Sequence, residues 1–212
     1  MEIEIYSDVV CPWCYIGKRR LEVALAKYDG EVSVRYRPYQ LDPGPVPQPR
    51  RTLDDLADKF GGPERARQIT EHTRGVAAAD GLTLNFDRAL SANTFEAHRL
   101  SWFAAEHGRQ PEVMEALHQA HFTDGRDIGA RDVLVEVAAE AGLDPVEVRE
   151  FLDSTNGTGE VEAELAEARR LGVTSVPTFV FAGRYAVSGA QDPATLLEVL
   201  AEVGRREGGA AN

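Results

Sequence analysis

The feature that most constrains this chain is a change of period around two cysteines. Glu2 to Tyr6 alternate polar and apolar residues, as a half-buried strand does. Cys11-Pro12-Trp13-Cys14 follows, and from Cys14 onward the pattern turns helical. Ile16, Leu21, Leu25 and Tyr28 fall near a 3.6-residue period, with Gly30 as a stop. Val32 to Tyr36 alternate again. A strand, a helix and a second strand in this order form a unit whose strands run parallel through a right-handed crossover.

The rest of the chain divides around this unit. Pro43, Pro45, Pro47 and Pro49 exclude a central strand or helix over residues 42–49, which read as a stiff exit loop. Helical patterns then succeed one another at roughly 53–60, 63–79, 92–107, 111–122, 130–141, 145–153 and 157–171, with no convincing strand among them. Thr178 to Phe181 read as a buried strand, Gly183-Arg184 as a turn and Tyr185 to Ser188 as a shorter strand. Asp192 caps a last helix that has Pro193 at its first position. The expected organisation is a discontinuous sheet domain (1–40 and 172–204), an all-helical insertion (41–171) and a frayed tail (205–212). The two outer pieces must share one sheet, because neither has enough strands to bury itself alone.

Composition narrows the function. A net charge of -12 opposes nucleic acid and anionic membrane surfaces as partners. The short basic run Lys18-Arg19-Arg20 reads as a solvated helix face. An alternating strand, and not a basic and apolar leader, opens the chain, which gives the expectation of a cytoplasmic protein. In a reducing compartment two cysteines this close in sequence are not a structural staple. Redox chemistry and metal binding remain.

For redox exchange the spacing is apt. Attack on a disulfide needs a thiolate, and release of the mixed intermediate needs a second thiol. Two intervening residues seat both sulfurs in the first turn of one helix, where unpaired amides and the helix dipole stabilise a thiolate. Pro12 suits that turn because its missing N–H has no intrahelical partner there. Cys11 is therefore the nucleophile. Cys14, one turn deeper, is the resolving thiol. The metal reading would need four ligands. His118 and His121 could supply two besides the cysteines, but they lie over a hundred residues away, and a pair three residues apart on an Ala/Leu-rich helix reads as two partly exposed histidines.

Ser7-Asp8-Val9-Val10-Cys11-Pro12-Trp13-Cys14-Tyr15-Ile16-Gly17 resembles the DsbA-like thioredoxin superfamily, in particular its FrnE-like branch. So do the stretches Asn93 to Leu100, Ser175-Val176-Pro177-Thr178-Phe179 and Val187 to Gln191, in the family order. The branch neighbours 2-hydroxychromene-2-carboxylate isomerases and kappa-class glutathione transferases. The resemblance implies an α/β fold, a thioredoxin-like sheet interrupted by a large all-helical insertion, with strand order 2-1-3-4 and the last two strands antiparallel to the first two. It implies a cis Val176-Pro177 bond whose backbone faces the cysteines, so that a client chain pairs with it like an added strand.

The same resemblance suggests roles for other residues. Pro12 and Trp13 form a docking surface between the cysteines, with Trp13 exposed. Asn93 caps the helix that follows it, with Glu96 three residues on, or touches substrate. Gln191 and Asp192 lie where glutathione-binding relatives hold a γ-glutamyl end, and they also suit a helix cap. The family places a buried carboxylate six residues before the first cysteine; here that position is Ile5 and the nearest acid is Asp8. Trp13 stands where strongly oxidising relatives carry histidine, which implies a less oxidising pair. The expected activity is dithiol–disulfide oxidoreduction or isomerisation of thiol- or disulfide-containing proteins or small molecules. No cofactor is expected beyond the redox-active disulfide, with glutathione open as a co-substrate. The alternative is a glutathione-dependent isomerase or transferase acting on a small aromatic molecule.

Overall fold

A computed structural model of the protein describes residues 1–46 and 49–209. Pro47 of the proline-rich loop and the last three residues of the expected tail lie outside the described residues. A four-stranded sheet runs in the order β2-β1-β5-β6, built from β1 (Glu2–Ser7), β2 (Ser33–Pro38), β5 (Thr178–Phe181) and β6 (Tyr185–Ser188). β1 is interior to the sheet, parallel to β2 and antiparallel to β5. Its inner residues Ile3, Ile5, Tyr6 and Ser7 are all buried, as a central strand demands. β6 is antiparallel to β5 and so points the same way as β1. The expectation that both last strands oppose the first two fails for β6. Ala182 and Gly183, both at positive φ, close a hairpin there, and a hairpin reverses the chain.

Helix α1 (Pro12–Leu25) joins β1 to β2 and ends before Gly30, as the chain turns off through Lys27 and Tyr28. A run of helices follows: α2 (Thr52–Phe60), α3 (Pro63–Ala79), α4 (Phe95–Glu106), α5 (Gln110–His118), α6 (Arg131–Glu140), α7 (Pro145–Asp153) and α8 (Thr158–Arg170). Two details depart from the sequence reading. Arg50–Arg51 (β3) and Leu90–Ser91 (β4) pair as a two-residue ribbon inside the helical stretch, too short to leave an alternating pattern. The helix expected at 111–122 continues past α5 as a π-helical turn, Gln119–Asp124. The last helix, α9 (Pro193–Gly209), runs on past residue 204, so the frayed tail expected from there on is helical through Gly209. Val203, just before this extension, is buried in the core.

α1 packs beside α9, while α4, α5 and α8 pack against β2. One large apolar cluster joins Ile3, Ile5, Phe179 and Phe181 of the sheet to Leu100, Met114, Leu117 and Val148 of the helices. A smaller cluster gathers Tyr15 and Ile16 of α1 with Ala77, Leu82, Leu84, Phe86 and Phe122. Among the described residues no helix is long and apolar enough to cross a membrane.

Candidate active site

β1 delivers the chain to the site. After Ser7 a turn closes through the Cys11 N–H to the Asp8 carbonyl, at 3.0 Å. Cys11 is the N-cap of α1, extended at φ −89° and ψ 114°, and has no side-chain cap. Its carbonyl accepts the N–H of Cys14 at 3.0 Å, so both sulfurs occupy one turn. Both cysteines are free thiols, Cys11 5% exposed and Cys14 2%. Burial pushes the Cys14 thiol pKa well up, and the neighbouring Cys11 sulfur raises it further. The Ser7 hydroxyl and the Asp8 backbone N–H face the Cys14 sulfur and pull the other way.

The Cys11 sulfur lies 3.8 Å from the Val176 carbonyl oxygen, to which its thiol donates. The Val176-Pro177 peptide bond is cis, and the Pro177 carbonyl accepts the Gly189 N–H at 2.8 Å. Gly17 sets how closely α1 approaches this loop. A Cβ there would meet Pro177 Cγ at 2.9 Å and Phe179 Cζ at 3.2 Å. Gly17 stood within the motif, but its packing role left no signal in the sequence pattern. The same is true of Ser7.

Asp8 is fully buried. One carboxylate oxygen accepts the Leu41 N–H at 2.8 Å. The other has no hydrogen-bond partner and lies 3.4 Å from His98 Nε2, which is 3.0 Å from the Tyr39 carbonyl. His98 thus bridges α4 to the end of β2. The next residue, Arg99, points into the helical region, where its guanidinium binds the carbonyls of Phe151, Ser154 and Asn156.

The other expected residues are spread around this centre. Trp13 is half-buried, not exposed, packing on the smaller cluster with His72 of α3 at 6.4 Å. Asn93 accepts the Phe95 N–H at 3.0 Å from one residue ahead of Thr94, the N-cap of α4, and its amide donates to the carbonyls of Pro43 and Gly44. Glu96 does not reach back to complete a capping box; it binds Arg99 instead. Gln191 donates to the Ser188 carbonyl. Asp192 accepts from the N–H groups of Ala194 and Thr195 at 3.0 Å, and these bonds lower its pKa. Asp192 therefore serves as a cap here, while Asn93 ties the start of α4 to the loop at Pro43 and Gly44.

Two expectations about charged and polar residues fail. His118 and His121 are buried, and none of their ring nitrogens has a partner. His118 stacks on Tyr15 with centroids 4.8 Å apart, because the aromatic interior of the smaller cluster takes its ring. Burial lowers their pKa values to about 3 and about 4. Among the described residues no group of three or more His, Cys, Asp or Glu could hold a metal ion. Lys18, read as part of a solvated face, is buried and paired with Glu22 and Glu115, each at 2.5 Å. Arg20 joins Asp80 of the helical stretch to the Ala190 carbonyl, both at 2.7 Å.

The DSBA-like thioredoxin domain family matches residues 2–201. YwbO of Bacillus subtilis is 30% identical over 185 residues, 85% of this chain and 86% of that protein. A crystal structure of a probable DsbA oxidoreductase from Streptomyces coelicolor is similar at a TM-score of 0.89 with 38% identity, covering 95% of this chain and 89% of that one. The cytosolic disulfide reductase DsbM of Pseudomonas aeruginosa, solved with GSH, has a TM-score of 0.68 at 21% identity, covering 97% of this chain and 100% of that one.

Proposed function

The chain belongs to the DSBA-like thioredoxin domain family, and from that premise we propose that it is a thiol–disulfide oxidoreductase in which Cys11 attacks and Cys14 resolves. The observation that carries this reading is the asymmetry of the pair. Cys11 caps the helix beside the Val176 carbonyl, while Cys14 lies one turn deeper with a pKa pushed up by burial. In the reducing direction the Cys11 thiolate attacks a substrate disulfide, and one substrate sulfur leaves as thiolate. Cys14 then gives up its proton and attacks the Cys11 sulfur, forming the Cys11–Cys14 disulfide and releasing the second substrate thiolate. Two electrons pass to the substrate, and the reverse sequence oxidises a dithiol.

Asp8 accepts the proton that Cys14 must lose. It is buried three residues before Cys11 with one carboxylate oxygen unpartnered, and it stands in for the acid that Ile5 cannot supply. The Val176 N–H and carbonyl, with Pro177, form the rail on which an extended client segment pairs, and Pro12 and Trp13 flank it. The Val176 N–H meets no protein acceptor among the described residues, which supports that use. Glutathione serves as the small thiol or disulfide that resets the pair, in the cytoplasm. The glutathione-dependent isomerase alternative is disfavoured by the second cysteine, which that chemistry does not need.

The test is equilibration with glutathione redox buffers. The wild-type protein should convert reversibly between dithiol and disulfide as the buffer ratio changes, and Asp8→Asn should slow resolution by Cys14 and alter its pH profile. Failure of the pair to form a disulfide in any buffer, or full catalysis by a protein lacking both cysteines, would overturn the proposal.

A further inference from the structure

Residues 39–41 clamp the acid assigned to the Cys14 proton. The Tyr39 N–H donates to the Ser7 carbonyl at 3.1 Å, and the Leu41 N–H donates to Asp8 Oδ2 at 2.8 Å. Between these two bonds the Tyr39 carbonyl lies 3.0 Å from His98 Nε2. The clamp is pinned to the start of α4, because Gln40 donates to Asn93 Oδ1 and Asn93 donates to the carbonyls of Pro43 and Gly44. Its other end reaches the resolving thiol, since the Ser7 hydroxyl and the Asp8 N–H both face the Cys14 sulfur.

His98 Nε2 faces two acceptors. A carbonyl can only accept, so the Tyr39 contact assigns the ring proton to Nε2. The same nitrogen lies 3.4 Å from Asp8 Oδ1, the oxygen that makes no hydrogen bond. Asp8 is 0% exposed and His98 4%, so bulk water does not screen the charge between them. A buried carboxylate without polar support takes up a proton rather than stay charged. The Nε2–H dipole opposes that, and no direct bond competes with Cys14 for the lone pairs of Oδ1. Holding α4 to residue 39 needs the Tyr39 bond alone; the second contact, to the open oxygen of an acid, is what that task leaves unexplained. The other titratable groups nearby are His121 of the π-helical turn, on which the Asp8 charge acts, and Tyr36, Arg35 and Glu164, which share a small cleft with His98. Glu164 binds Arg35 at 3.0 Å and Arg37 at 2.6 Å.

We propose that His98 is a positioning residue for the resolution step, its Nε2–H holding Asp8 as the anion that takes the Cys14 proton. The inference rests on the reading of Asp8 as that acceptor. In the step the Cys14 S–H bond breaks and an O–H bond forms on Asp8 Oδ1. The Cys14 sulfur bonds to the Cys11 sulfur, and the substrate leaves as thiolate with the electron pair of the broken S–S bond.

The test mixes reduced protein with oxidised glutathione and follows the glutathione adduct on Cys11 by acid quench and intact mass, from about pH 4 to 8. Decay of the adduct should slow in acid as Asp8 is protonated. His98→Leu should move that acid limb up by about one pH unit, which makes resolution on the limb roughly tenfold slower. His98→Gln, whose amide N–H reaches the place of Nε2, should restore the wild-type limb. His98→Asn, whose amide falls short of it, should shift as the leucine variant does and replaces that variant if it does not fold. Asp8→Asn should abolish the limb, and His98→Leu added to it should change nothing further. A limb unmoved by His98→Leu or His98→Asn while Asp8→Asn abolishes it overturns the role of His98 alone. So does a His98→Gln protein that shifts as far as the leucine variant. A limb that survives Asp8→Asn overturns the reading of Asp8, and this inference with it.

Discussion

The two faces of helix α1 are built on different principles. The face toward β5 and α9 is close and plain: Gly17 lies against Pro177 and Phe179, and Leu21 and Ala24 enter the large cluster. The face toward the helical stretch is crowded with polar groups held in a poorly solvated space. There Tyr15 stacks on His118, and Lys18 and Arg19 converge on Glu115, which also accepts from Tyr15 at 2.9 Å. The first face fixes where the sulfurs stand relative to the Val176 loop. The second ties the helix to the inserted helices. The difference teaches that exchange chemistry here depends on distance on one side of the helix, while pH sensitivity resides on the other.

That division can be broken by experiment, beginning with the largest effect. Cys11→Ser should lower disulfide reduction, measured on insulin, by at least ~10³-fold, because Cys11 is the sulfur that lies against the Val176 carbonyl. Next comes acid. His118 and His121 are held neutral in the fold, with pKa values of about 3 and about 4 against 6.5 when unfolded. The unfolded chain therefore takes up more protons between those values. Their neutrality costs nothing above pH 6.5, and stability falls as pH drops from 6.5 toward 4. At its steepest the fall from both should approach ~2.7 kcal/mol per pH unit. Urea titrations across that range should show it, and His118→Phe, which keeps the stack on Tyr15, should remove about half of the slope. A slope unchanged in that variant would move the pH sensitivity elsewhere.

Gly17→Ala should destabilise by ~1–3 kcal/mol, since the added methyl meets a proline ring that cannot swing aside. It should also separate Cys11 from the Val176 carbonyl and so change the redox potential, which an insertion on the opposite face would not do. Ser7→Ala should have the smallest effect, lengthening the life of the mixed disulfide roughly fivefold by removing a bond to the Cys14 sulfur. A mixed disulfide of unchanged lifetime would deny Ser7 any part in resolution.

Much of this was legible in the chain. Period changes set the four main strands and the succession of helices, because amphipathic patterns survive wherever an element has one wet face. The cysteine pair was legible because a helix start has known electrostatics. What escaped lay in tertiary contact. β3 and β4 are too short to show alternation, and the turns of α9 past residue 204 bury no apolar side chain that a pattern could reveal. Lys18, Asp8, His118 and His121 read as exposed or ambiguous because polarity alone does not tell which partners, or which absence of partners, the fold provides. Gly17 and Ser7 matter through what they touch, and a residue's neighbours in space carry no mark along the sequence.

The division of labour between the two sulfurs is tested most directly by trapping. Cys14→Ser and Cys11→Ser proteins, each incubated with oxidised glutathione, should differ by intact mass. The first should carry one glutathione on Cys11, removable by dithiothreitol, and the second should remain unmodified at Cys14. An adduct on Cys14 in the second protein, with Cys11 untouched in the first, would contradict the assignment.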